Sequence, residues 1–221
     1  MFFVFYVLLF YNLDMKRFLI ILFLVMVCTS FGCANALDFN LSKKQQAEEQ
    51  IDEKSEQARV LYAQNDIDGA LVILQNKKEA ERSAQDWLML GNIMQDKEKI
   101  PEAIYMFNHA INKDPKYYKA YYNLGYIYFI QDKPNMALAE FKKAVKYKPD
   151  FSYGYYNIGC AYLKLKNYRT ARYNFFKAMD LRANEPNIYY NLAYCYKMLN
   201  DEKKAKTYLD LYNKMMEQHE L

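Results

Sequence analysis

Histidine, glycine and cysteine are scarce in this chain, and each scarcity excludes a class of chemistry. Of 221 residues, two are His, six Gly, four Cys and one Trp. With His109 and His219 alone, and no C-x2-C pair, the spacing assembles no zinc site. The scattered glycines supply neither G-x-x-x-x-G-K nor G-x-G-x-x-G, the runs that cradle phosphate. A serine hydrolase needs a base, and His109 stands between Asn108 and Asn112 in a stretch that reads as helix surface. Glu48, Glu49, Glu53 and Glu56 follow helical spacing, but Lys and Gln surround them, as on a wet helical face. No catalytic, cofactor-binding or metal-binding residue is assigned, and the chain reads as a non-enzyme.

An excess of one charge is also lacking. Thirty basic residues face 26 acidic ones, a formal balance of +4. Lysines and arginines gather at Lys142, Lys143, Lys146 and Lys148, and again at Lys164, Lys166, Arg169 and Arg172. At helical spacing these form a solvated face, and nucleic acid is not expected as a partner.

What the chain has instead is a beat of 34 residues. Leu90-Gly91, Leu124-Gly125 and Ile158-Gly159 follow one another at that interval, each preceded three positions earlier by an aromatic: Trp87, Tyr121 or Tyr155. Ala103, Ala137 and Ala171 recur in step, then Phe107, Phe141 and Phe175, then Ala110, Ala144 and Ala178. Pro115 and Pro149 close two of the repeats. Tyr121, Leu124, Gly125 and Tyr128 lie at i, i+3, i+4 and i+7, one face of an amphipathic helix. Ala137, Phe141 and Ala144 mark the same kind of face on a second helix. Between them Gln131 to Pro134 supplies a turn, with Asp132 as N-cap and Pro134 in the first helical turn. Gly125 inside a helix costs roughly 1 kcal/mol against Ala. Close approach of the second helix at Ala137, wedged by Tyr121, Tyr128 and Phe141, is the expected compensation. Such a hairpin cannot bury its apolar face alone, so the period predicts an all-α stack.

These residues follow W/Y-x2-L-G-x2-Y-x8-A-x3-F-x2-A-x4-P, and the chain thereby resembles the tetratricopeptide repeat. The match is nearly complete over 84–117, 118–151 and 152–185, although Met94 replaces an aromatic and Ala183 the closing Pro. A degenerate repeat at 186–219 keeps Tyr189, Leu192, Ala193, Tyr196 and Ala205 but carries Leu209 and Tyr212 where Phe and Ala are usual. Another, at about 51–83, keeps Ala58, Leu61, Ala70 and Leu74 and is one residue short. The resemblance implies a right-handed superhelical solenoid, with three clear and two degenerate repeats. Trp87, Gly91, Gly125, Gly159, Ala137 and Ala171 are its packing positions.

It also implies a groove lined by the first helices, at the second, fifth, sixth, ninth, twelfth and thirteenth places of each repeat. The sixth is Asn123, Asn157 and Asn191, where an amide can pair with a peptide backbone or serve the fold. The fifth is Tyr122, Tyr156 and Tyr190. The remaining places are apolar where polar residues are customary: Tyr126, Phe129 and Ile130, then Cys160 and Leu163, then Tyr194 and Met198. Relatives that clamp a terminal carboxylate use basic residues where this chain has Leu88, Tyr153 and Asn157, so carboxylate clamping is not expected. The expected guest is an extended or helical apolar-aromatic segment of another protein. A rival reading folds the chain's own N-terminal helix into the groove. Cys160 and Cys195 stand 35 residues apart on neighbouring first helices, as a disulfide or as two packed thiols.

The N-terminal segment, residues 1–36, reads as export machinery. From Met15 come Lys16 and Arg17, an apolar run from Phe18 to Cys28, and small residues. Eleven apolar residues suit a secretory signal better than a span, which needs about 20. Either Met15 is the true start, or residues 1–14 extend a membrane anchor. Two cleavage sites compete: Ala34-Asn35-Ala36, and Ser30-Phe31-Gly32-Cys33, which resembles a bacterial lipoprotein box with Cys33 acylated. Residues 37–50 then form a tether and the start of a first helix, with Ser42 to Gln45 as capping box. Together these predict a scaffold or adaptor in a bacterial cell envelope, bound to the membrane through an anchor or a lipid. The alternatives are a surface-exposed ligand binder and an accessory subunit of a cell-wall or outer-membrane assembly machine.

Overall fold

A computed structural model describes residues 53–181 and 186–219. The signal segment, the lipidation candidate Cys33, the 37–50 tether and the Ser42 capping box lie outside the described residues. The chain divides into two compact units, Met1–Glu56 and Gln57–Leu221, and the second carries the architecture that follows.

Among the described residues every regular element is a helix. Residues 53–63 form α1, followed by α2 (Ile67–Gln75), a short 3-10 turn at Glu79–Glu81, α3 (Ala84–Asp96) and α4 (Ile100–Lys113). Then come α5 (Tyr118–Ile130), α6 (Pro134–Tyr147), α7 (Ser152–Lys164) and α8 (Tyr168–Asp180). The last pair is α9 (Asn187–Met198) and α10 (Glu202–His219). Each odd-numbered helix from α3 packs chiefly on the helix that follows it, and each hairpin leans on the next through α4 with α5, α6 with α7 and α8 with α9. This is the helical solenoid that the period predicts.

The second helices bury the stripe read from the sequence. Ala103, Phe107 and Ala110 on α4, Ala137, Phe141 and Ala144 on α6, and Ala171, Phe175 and Ala178 on α8 are all fully excluded from solvent. Each phenylalanine contributes roughly 2–3 kcal/mol of burial. Its ring lies against the glycine of the preceding helix: Phe107 on Gly91, Phe141 on Gly125, Phe175 on Gly159. A Cβ added at Gly125 would stand 2.6 Å from Phe141 Cδ1. The glycine therefore makes room for a ring; the expectation that it answers Ala137 is corrected on this point.

A second correction concerns Asp132. It does not cap α6; Lys133 is the N-cap residue and makes no side-chain cap bond, while Pro134 opens the helix as expected. Asp132 instead ends α5 in the left-handed conformation, with φ 57°. Its N–H donates to the Phe129 carbonyl, and that of Lys133 to the Tyr128 carbonyl, the two bonds of a Schellman cap. The same device recurs at Asn65, Glu98, Lys166 and Asn200, each at positive φ and each with both bonds. One backbone turn thus repeats with the period of the chain.

Between α2 and α3 the packing departs from the repeat. Lys77 and Asp86 form a buried ion pair, 3% and 1% exposed. Asp86 also closes a capping box with Ser83: each residue's N–H donates to the other's side chain.

Candidate functional site

The first helices α3, α5, α7 and α9 carry the residues at issue, and the structure sorts them into two rows. One row binds repeat to repeat. Asn123 Nδ2 donates to Asn92 Oδ1 at 2.7 Å, and Asn191 Nδ2 lies 3.9 Å from Cys160 Sγ, each reaching from one first helix to the previous one. Asn157 donates from Nδ2 to Tyr122 Oη at 3.0 Å and to the Tyr153 carbonyl at 3.1 Å. It is buried, with both amide hydrogens committed inside the protein. Tyr122 is half-buried, edge-on to Phe151 with ring centroids 5.0 Å apart. Its burial raises the pKa of the phenol above the ordinary value. Tyr156 is half-buried over Phe175, 5.8 Å between centroids. Phe129 is half-buried beneath the Lys164 ammonium, which sits 4.7 Å from the ring centroid and pairs with Asp132.

The other row is offered to solvent. Tyr126, Ile130, Tyr153, Tyr190, Tyr194 and Met198 are large apolar or aromatic side chains exposed by 40 to 53%. All six stand at groove places read from the sequence; Tyr153, at the second place of its repeat, is also where carboxylate-clamping relatives carry a basic residue. Toward the C-terminal end, Tyr190 and Tyr194 border a cavity of about 320 Å³ between α9 and α10, completed by Ala193, Lys197, Ala205 and Leu209 among others.

Other residues take different places from those expected. His109 is half-buried, stacked on Trp87 at 4.4 Å and against Tyr105 at 4.4 Å, so the surface reading is corrected. No disulfide joins Cys160 and Cys195. Cys195 is buried, and desolvation pushes its thiol up to about 12. Basic side chains of α6 and α8 lie over tyrosine rings, Lys142 over Tyr162 and Arg172 over Tyr196. Among the described residues no cluster of His, Cys, Asp or Glu could hold a metal ion, and no helix is long and apolar enough to cross a membrane.

Family models described as tetratricopeptide repeat match residues 118–151, 140–173 and 186–215, and one described as TPR repeat matches 91–132. The chain is a tetratricopeptide-repeat protein. Among solved structures, MamA 41-end from Desulfovibrio magneticus RS-1 is 17% identical, with a TM-score of 0.66 over 76% of this chain and 96% of that one. A crystal structure of MamA protein gives 19% identity and a TM-score of 0.65, covering 77% of this chain and 93% of that one. MamA AMB-1 gives 18% and 0.64, covering 76% and 92%. At such identities the likeness is one of fold. No curated protein sequence matches the chain. The repeats and the solenoid place this TPR protein among protein–protein interaction scaffolds, a family that is generally non-enzymatic.

Proposed function

We propose that this TPR protein is an adaptor of the bacterial cell envelope that holds an apolar-aromatic segment of a partner protein against the outward row of its first helices. The observation that carries this reading is the exposure of Tyr126, Ile130, Tyr153, Tyr190, Tyr194 and Met198 from three successive first helices. Apolar surface exposed on successive helices is costly to leave wet and marks a place of contact. Tyrosine supplies large area with a polar tip, suited to a guest that arrives with its own backbone polar groups. Recognition then rests on rings and aliphatic groups. Asn157 contributes by fixing Tyr122 and the helix spacing, since its amide hydrogens are spent inside. Tethering rests on the signal-like run from Phe18 to Cys28 and on Cys33.

The test is affinity capture of the native protein from membranes, with the mass of its mature N-terminus measured in the same sample. Tyr126→Ala, Ile130→Ala and Tyr153→Ala together should lose the captured partner while far-UV circular dichroism stays unchanged. Undiminished capture by that triple variant defeats the binding face. A mature N-terminus without acylated Cys33 or a retained anchor defeats the tether.

A further inference from the structure

Among the described residues, the repeat of α9 and α10 carries an unfilled copy of the seat that each earlier repeat fills with its neighbour's first helix. Inside the stack, each first helix presses three residues, at i, i+4 and i+7, into the hairpin before it. These are Asp86, Leu90 and Ile93 on α3, Ala120, Leu124 and Ile127 on α5, Gly154, Ile158 and Ala161 on α7, and Ile188, Leu192 and Cys195 on α9, all of them buried. The seat for α9 includes Tyr156, Cys160, Leu163, Ala171 and Phe175, which pack with Ala178, Ile188, Leu192 and Cys195 in one cluster. Moving the five on by 34 gives Tyr190, Tyr194, Lys197, Ala205 and Leu209, while Ala178 gives way to Tyr212, whose ring stands 5.5 Å from that of Tyr190. All five line the 320 Å³ cavity between α9 and α10. The change in burial follows: Phe175 is 0% exposed, and its counterpart Leu209 is 40% exposed.

We infer that this seat, which shares Tyr190 and Tyr194 with the outward row and is completed by α10, receives one amphipathic helix of a partner protein. Its chemistry is that of the occupants on α5, α7 and α9: small or branched apolar side chains at i, i+4 and i+7. The inference rests on continuity with an interface that the chain already forms four times, in the same register and with the same kind of lining. A second copy stacked head to tail does not suit the seat. At the corresponding places α1 offers Glu53, Gln57 and Val60; a carboxylate enters at the first place only on α3, where Lys77 pairs with Asp86, and no internal occupant brings an amide to the second. Lys197, Glu202 and Lys206 stand at the cavity and leave its charge modestly positive, which favours an acidic residue on the flank of the incoming helix.

The probe is a stapled, fluorescent peptide of residues 186–200, the helix that fills the equivalent seat one repeat earlier, added to the full chain. Anisotropy should show saturable binding. Leu192→Asp in the peptide, or Leu209→Asp in the chain, should weaken it at least about tenfold. Tyr126→Ala, on the outward row, should leave it within about twofold, so failure here is distinguishable from failure of the proposed adaptor face. A benzophenone on the peptide should crosslink to α9 and α10, a readout that does not depend on any variant folding. Absence of binding, adducts on α3 to α7, or indifference to Leu209→Asp overturns the inference. So does a sedimenting dimer that Leu209→Asp dissolves, which would make a second copy the occupant.

Discussion

At the scale of single residues, the core of each repeat turns on a glycine and a phenylalanine that occupy one volume. The interior hairpins pair Gly91 with Phe107, Gly125 with Phe141 and Gly159 with Phe175. In register, both terminal hairpins change the two together: Ala58 with Leu74, and Ala193 with Leu209. The methyl that appears on the first helix is matched by a shorter side chain on the second. Periodicity made these positions legible as core, yet spacing alone does not say which atoms fill the gap a glycine leaves, and Ala137 was the wrong candidate. The joint change at the ends was the available clue. Gly125→Ala gains roughly 1 kcal/mol of helix propensity, but overpacking against a buried ring costs about 1–3 kcal/mol. The single variant should therefore melt at or below wild type. In a Phe141→Leu background the same change should stabilise, with a coupling of about 0.5–3 kcal/mol in the double-mutant cycle. Additive effects in urea titrations would show that ring and glycine do not share the space.

At the scale of elements, helices and their faces were readable and their ends were not. The apolar stripes on α4, α6 and α8 were found because three-and-four spacing is unambiguous. The Schellman turns escaped because their left-handed residues are Asn65, Glu98, Asp132, Lys166 and Asn200, and a C-cap is ordinarily recognised by glycine. Asp132 reads as an N-cap in the sequence because aspartate suits that task. The Lys77–Asp86 pair was missed for a similar reason. Its signal was an acid at the third place of its repeat, where the others carry Ala120, Gly154 and Ile188. The site divided in the same way. Register found the first-helix positions, but only packing shows that Asn157 and Tyr122 serve neighbouring helices while Tyr126 and Tyr194 face water. A non-glycine residue held left-handed costs roughly 1 kcal/mol or more. Lys166, exposed and at φ 56°, can shed that cost without losing packing. Lys166→Gly should raise stability by about 0.5–1 kcal/mol, less a part returned to the more flexible unfolded chain. The thermal midpoint should rise while Lys166→Ala leaves it flat; a fall with glycine would refute the turn assignment.

At the scale of the whole stack, tyrosine sets how the protein answers to alkali. Twenty-three tyrosines are spread along the chain, and several stitch one helix to another. Tyr62 Oη donates to Asp96 Oδ2 at 2.9 Å, joining α1 to α3. Tyr121 Oη donates to the Pro115 carbonyl at 3.0 Å, tying α5 to the turn before it. Burial first, and then the Asp96 hydrogen bond and charge, push the Tyr62 phenol up to about 12. Burial likewise raises Tyr117, Tyr121, Tyr122 and Tyr208. The sign follows from proton binding: above about pH 10 the unfolded chain gives up phenolic protons that the folded chain keeps. Their stabilising contribution is complete below about pH 10 and is lost as the pH climbs toward 12. Thermal midpoints should hold steady from neutrality to about pH 9 and then fall steeply over the next two to three units. Tyr62→Phe should lower the midpoint at neutral pH, because a bond is gone, and make the alkaline fall shallower, because a shifted proton is gone. Unfolding followed by circular dichroism alongside tyrosinate absorbance checks both. A variant whose alkaline slope matches the wild type would mean that the joint between α1 and α3 does not depend on that phenol.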